Sequence, residues 1–137
     1  MMAYYRELTL KSELSEISSL EEFLINICEE CEVSDDIYPD IMLAVTEACT
    51  NGIIHGNQFD PSKVVTLKTT ISENNHLIFT VKDQGKGFDP DNLPNPVEEE
   101  NLLKSGGRGV YLMKHYSGSV TYNDIGNEVI LSFNHSA

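Results

Sequence analysis

Glu47, Asn51 and His55 recur by fours inside Glu47-Ala-Cys-Thr-Asn-Gly-Ile-Ile-His-Gly-Asn57. On an α-helix they stand about 6 Å apart along one face, each turned some 40° from the last. That face carries a carboxylate, a carboxamide and an imidazole, which together can hold a proton and offer a neutral oxygen to a cation. Taken alone, a polar ladder of this kind is also what any solvent-facing helix displays. Two glycine clusters follow: Asp83-Gln-Gly85-Lys-Gly87 directly after a β-rich run, and Gly106-Gly107-Arg108-Gly109 ahead of Val110-Tyr-Leu-Met-Lys-His-Tyr116. Each by itself reads equally as a tight turn or a flexible loop.

The combination points to a nucleotide. Asp83 can accept a hydrogen bond from an exocyclic amine such as that of adenine, while Gly85 and Gly87 let a flat ring lie against backbone. Glycines at a helix start expose N–H groups to phosphate, and the helix N-terminus adds partial positive charge. Arg108, one of two arginines in the chain, is placed among them to meet a polyphosphate; Lys86 and Lys104 are the other cations near these clusters. Asn51 offers an oxygen to Mg²⁺, which keeps several waters and takes further ligands from phosphates. Glu47, one turn away, can deprotonate an attacking hydroxyl or water.

Elements must position these groups, and the chain is long enough for one core. Its 137 residues, 40 % hydrophobic, predict a single domain over 1–137. A net charge of -13 with nine Lys and Arg argues against nucleic acid. No stretch approaches the ~20 apolar residues of a membrane span, and Met-Met-Ala-Tyr-Tyr-Arg has no apolar signal core. A cytoplasmic protein without membrane contact is therefore expected. Cys28, Cys31 and Cys49 form no disulfide framework, and Cys28-Glu-Glu-Cys31 lacks the second ligand pair of a zinc site. They read as structural thiols.

Residues 4–10 alternate as a strand, and 14–31 carry apolar residues at helical spacing, with Ser15 or Ser19 as the N-terminal cap. Ser34-Asp-Asp and Pro39 open a second helix. It is expected to run to about Ile54 and stop at His55-Gly56-Asn57. On it Ile41, Ala44, Val45, Ala48, Gly52 and Ile53 oppose the polar ladder and can pack on a sheet. Val64–Ile71 and Leu77–Val81 form a hairpin through residues 72–76, and Ser119–Tyr122 with Glu128–Phe133 form another. Between them, about 88–107 lacks periodicity and reads as a lid, followed by a short helix at 110–116. The order β-α-α-β-β-lid-α-β-β predicts an α+β fold: a two-layer α/β sandwich whose sheet is mixed but mostly antiparallel.

Glu47-x-x-x-Asn51, Asp83-x-Gly85-x-Gly87 and Gly107-x-Gly109 occur in the order of the N, G1 and G2 boxes of the GHKL (histidine kinase-like) ATPase superfamily, which includes gyrase, histidine kinases and MutL. Within it, Glu-Ala-Cys-Thr-Asn-Gly-Ile-Ile-His-Gly-Asn and Gly-Arg-Gly-Val-Tyr-Leu-Met-Lys resemble the wording of the small anti-sigma serine/threonine kinases. The resemblance covers nearly the whole chain. It implies a Bergerat-type ATP-binding fold holding Mg-ATP beneath a lid, with Glu47 as general base, Asn51 as the Mg²⁺ ligand and Asp83 as the adenine reader. It further implies that His55, Gly85, Gly87, Gly107, Arg108, Gly109 and Val110 line the nucleotide site. The partners it implies are an STAS-domain antagonist phosphorylated on serine or threonine, a sigma factor, and a second copy of the chain in a homodimer. Two other readings use the same boxes: a noncatalytic module that binds ATP to shape a partner surface, and a detached histidine-kinase-like ATPase domain.

Overall fold

The computed structural model describes residues 3–85, 119–122 and 127–134. The expected lid at about 88–107, the helix at 110–116, and Lys86, Gly87, Lys104, Gly107, Arg108, Gly109 and Val110 lie outside the described residues.

Strand β1 (Tyr5–Lys11) leads through one 3₁₀ turn (Leu14–Glu16) into α1 (Ile17–Glu30), and α2 (Tyr38–Asn51) follows. Then come β2 (Val64–Ile71), β3 (His76–Lys82), β4 (Ser119–Tyr122) and β5 (Glu128–Asn134). The strands form one five-stranded sheet in the order β1-β2-β3-β5-β4. All four ladders are antiparallel, so the sheet expected to be mixed contains no parallel pair among the described residues.

Alternation sets which face is covered. Leu67, Val81 and Val129 stand in register across three strands, as do Thr69, Phe79 and Leu131, and all six are buried. Phe79 and Phe133 meet edge to face at 6.0 Å. Against this face α1 buries Leu20, Leu24, Ile27 and Cys28, and α2 buries Ile41, Ala44, Val45, Ala48 and Cys49. The small Ala44 and Ala48 let α2 lie close to the sheet, as their spacing predicts. The thiols are free; burial pushes Cys28 up to about 11 and Cys49 up to about 12, which leaves both unreactive near neutrality. No helix among the described residues is long and apolar enough to cross a membrane.

Two helix boundaries differ from their sequence signals. Neither Ser15 nor Ser19 caps α1. The chain enters from the 3₁₀ turn, so the capping position falls on Glu16 in helical backbone, and the Glu16 carboxylate accepts from the Lys11 N–H at 2.9 Å. At the other end Glu32 adopts a left-handed φ of 52°. Val33 N–H donates to Cys28 O and Glu32 N–H to Glu29 O, which closes a Schellman motif without the usual glycine.

Candidate functional site

The regular helix ends at Asn51, and the next five residues, Gly52–Gly56, form a π turn. Its signature bond runs from Asn57 N–H to Gly52 O at 2.7 Å. Turns of this kind insert one residue into the helical ladder and concentrate at functional positions. The helical path thus runs beyond the stop expected at about Ile54, through Gly56, and Gly56 is not a left-handed stop. The left-handed residues are Gln58 (φ 50°) and Phe59 (φ 58°), where the chain turns away toward β2.

Gly56 is there for proximity. A Cβ on it would overlap the Asp83 carboxyl group, lying 2.5 Å from both carboxylate oxygens. A Cβ on Gly52 would meet Asp83 Cβ at 3.4 Å and Val65 Cγ2 at 3.0 Å. A Cβ on Gly85 would fall onto the Gly56 carbonyl, 2.5 Å from its carbon. Three glycines therefore let the end of β3 press directly on the π turn, and the Asp83 carboxylate occupies the space that Gly56 leaves open.

Asp83 is held from its own side as well. Its N–H donates to Asn127 O at 2.9 Å, extending the β3–β5 ladder, and its Oδ1 accepts from Gly85 N–H at 2.8 Å. Burial raises the Asp83 carboxyl above its ordinary value, with the Gly85 N–H and the Lys63 charge pulling the other way. An acceptor half out of water beside bare backbone suits an amine donor on a flat ring.

Glu47 and Asn51 stand one turn apart on α2, both partly buried. Asn51 Nδ2 is shielded from solvent with no hydrogen-bond partner among the described residues. A buried amide N–H without a partner costs free energy, so this Nδ2 is not spent on a bond of the fold. No group of three or more His, Cys, Asp or Glu that could enclose a metal occurs among the described residues. A single neutral oxygen fits Mg²⁺ completed by water and phosphate, and does not fit a protein-enclosed zinc or calcium site. His55, inside the π turn, is exposed, and partial desolvation holds its imidazole below the usual value.

The sequence reading missed Gly52, Gly56 and Asn57 as site residues. Glycines four apart in an otherwise apolar helix were a legible sign of close approach; Asn57 carried only a helix-stop signal. Asn57 is 1 % exposed. Its Nδ2 donates to Ser12 Oγ and Val64 O, each at 3.0 Å, and its Oδ1 accepts from Gln84 N–H at 2.7 Å.

A family model described as a histidine kinase-like ATPase domain matches residues 10–133. The chain is similar to an anti-sigma F factor of Clostridium perfringens, 35 % identical over 99 residues, covering 67 % of this chain and 69 % of that protein. It is similar to the serine-protein kinase RsbW of Bacillus licheniformis, 32 % identical over 97 residues, covering 66 % of this chain and 60 % of that one. Among solved structures, the fold is shared with a Mycobacterium tuberculosis protein that contains RsbU and RsbW domains: TM-score 0.69, 14 % identity, 98 % of this chain and 33 % of that longer one. It is also shared with a blue-light activated histidine kinase of Erythrobacter litoralis, at TM-score 0.55 and 23 % identity, covering 87 % of this chain and 41 % of that one. With the family model spanning both helices and most of the sheet, the chain belongs to the histidine kinase-like ATPase family, beside anti-sigma factors and serine-protein kinases.

Proposed function

We propose that this chain is an ATP-binding serine/threonine protein kinase of the anti-sigma type, which phosphorylates an STAS-domain antagonist and regulates transcription by partner switching. The observation that carries the reading is the Asp83 carboxylate, seated in the space Gly56 leaves open, together with Asn51 on α2, whose Nδ2 makes no bond of the fold. The names of the relatives support the branch.

In this reading Asp83 accepts from the adenine amine and Gly85 leaves room for the ring. Asn51 would hold Mg²⁺ through its side-chain oxygen, and the ion would supply charge neutralisation at the phosphates. Glu47 takes the proton of the substrate hydroxyl. The hydroxyl oxygen forms the new bond to the γ-phosphorus, the bond from that phosphorus to the bridging oxygen breaks, and ADP leaves with the bond's electron pair. Gly87, Gly107, Arg108, Gly109 and Val110, with Lys86 and Lys104, are assigned to the phosphate side from the sequence. His55 stands at the rim. This chain forms one domain and acts in the cytoplasm as a homodimer, with a sigma factor as the second partner.

The test is transfer of the γ-phosphoryl group of labelled ATP to a purified STAS-domain protein in the presence of Mg²⁺. Label on a serine or threonine of that protein, lost with Glu47→Gln, is the expected result. ATP binding with no transfer to any STAS-domain protein would leave a noncatalytic binding module.

A further inference from the structure

We infer that Asn57 is a positioning residue for the base subsite: its side-chain oxygen sets where Asp83 stands. This rests on the reading of Asp83 as the contact to the base. The two ends of the Asn57 carboxamide do different work. The Nδ2 end ties two strand termini together, since Ser12 follows β1, Val64 opens β2, and Ser12 Oγ in turn donates to Lys63 O at 2.7 Å. The Oδ1 end reaches the turn that carries the base reader, accepting the Gln84 N–H at 2.7 Å, one residue beyond Asp83. Gln84 Oε1 returns to the Val64 N–H at 2.7 Å, so the turn is pinned to the start of β2 on both sides. The backbone of Asn57 closes the π turn through Gly52 O. One residue therefore couples both walls of the subsite: the π turn with Gly52 and Gly56, and the Asp83–Gly85 turn that lies against it.

The geometry leaves little tolerance. Gly85 and Gly56 are in contact backbone to backbone, and the Asp83 carboxylate fills the volume a side chain on Gly56 would need. Loss of the Oδ1 bond frees Gln84 N–H and lets Asp83 move relative to the glycines that define the base position. A role confined to holding the fold would sit mainly at the Nδ2 end.

The experiment titrates wild type, Asn57→Ala and Ser12→Ala with Mg-ATP and with Mg-ITP, in which a carbonyl replaces the exocyclic amine, and follows amide exchange at Gln84 without nucleotide. Wild type is expected to prefer ATP by about tenfold or more, the size of one well-placed hydrogen bond to a charged acceptor. Ser12→Ala disturbs only the Nδ2 end: it melts at lower temperature and keeps the preference. Asn57→Ala exchanges Gln84 faster and loses most of the preference through weaker ATP binding, with ITP affinity changed less than about twofold. Should Asn57→Ala not fold, Asn57→Ser, which withdraws the acceptor from Gln84 while keeping a small polar group, must show the same split. A folded Asn57→Ala or Asn57→Ser with fast Gln84 exchange and undiminished ATP preference overturns the inference. Equal affinity of wild type for ATP and ITP instead overturns Asp83 as the base reader, a different failure visible before any variant is made.

Discussion

Asn51 and Asn57 are the same residue type at the two ends of one π turn, yet the fold treats them oppositely. Asn57 is enclosed, and its carboxamide makes three hydrogen bonds to three segments. Asn51 Nδ2 is equally shielded and makes none among the described residues. Under the proposed function, the difference separates a side chain that builds the site from one available to a ligand. Proteins satisfy buried amides almost without exception. Under the proposed function, the unsatisfied Asn51 Nδ2 belongs to a side chain available to a ligand.

The sharpest way to press the comparison is chemical. Glu47 stands on α2, one turn before Asn51. Glu47→Gln is expected to lower phosphoryl transfer by about 10²–10⁴-fold, the usual worth of a positioned base, while ATP affinity stays unchanged; initial rates beside calorimetry read both. Unchanged transfer would remove Glu47 as the base.

Denaturant unfolding separates the two asparagines directly. Asn57→Ala strands the Gln84 N–H and removes the donor to Ser12 Oγ and Val64 O, and should cost about 3 kcal/mol. Asn51→Ala removes an unpaired amide and substitutes a better helix former, so it should leave stability unchanged or raise it by about 0.5 kcal/mol. Equal destabilisation by both would mean that Asn51 is structural.

Gly56→Ala places a methyl where the Asp83 carboxylate lies. It should weaken ATP binding by about tenfold or more and cost about 2 kcal/mol of stability, measured on one preparation by titration and by melting.

Acidity supplies a gentler perturbation. The folded state raises the Asp83 carboxyl above 3.8, mainly by burial. It therefore binds that proton more tightly than the unfolded chain. The contribution of Asp83 to stability is largest at low pH and declines as pH rises from 3.8 through the raised value. Nucleotide binding needs the carboxylate and runs the other way, weakening as pH falls through that same value. ATP affinity should follow this titration in wild type and be flat there in Asp83→Asn.

The smallest effect belongs to the exit from the turn. Gln58 and Phe59 both hold left-handed backbone that disfavours side chains. Gln58→Gly should stabilise by up to about 0.5–1 kcal/mol in thermal melts without altering nucleotide binding.

Much of the architecture was legible beforehand. Period-two runs gave the strands, and Ile41, Ala44, Val45, Ala48, Gly52 and Ile53 marked the buried face of the second helix; all six are buried. Asp83, Asn51 and Glu47 could be picked out as candidates because carboxylate, amide and glycine types at fixed gaps suit a nucleotide. The π turn was not legible, since one inserted residue leaves no compositional mark and a helix-period count passes straight through it. Asn57 was hidden for a related reason. Its partners Ser12, Val64 and Gln84 are 45, 7 and 27 residues away, and only the folded sheet brings them together. The caps of α1 failed more simply: a 3₁₀ entry leaves no extended position for a serine to occupy.

The most direct test of the whole account is calorimetric titration of ATP, with and without Mg²⁺, into wild type and Asn51→Ala. The account predicts that Mg²⁺ strengthens binding to wild type at least about tenfold, and that in Asn51→Ala, folded and no less stable, most of this gain disappears. The same Mg²⁺ dependence in both proteins, or no ATP binding by folded wild type, would contradict it.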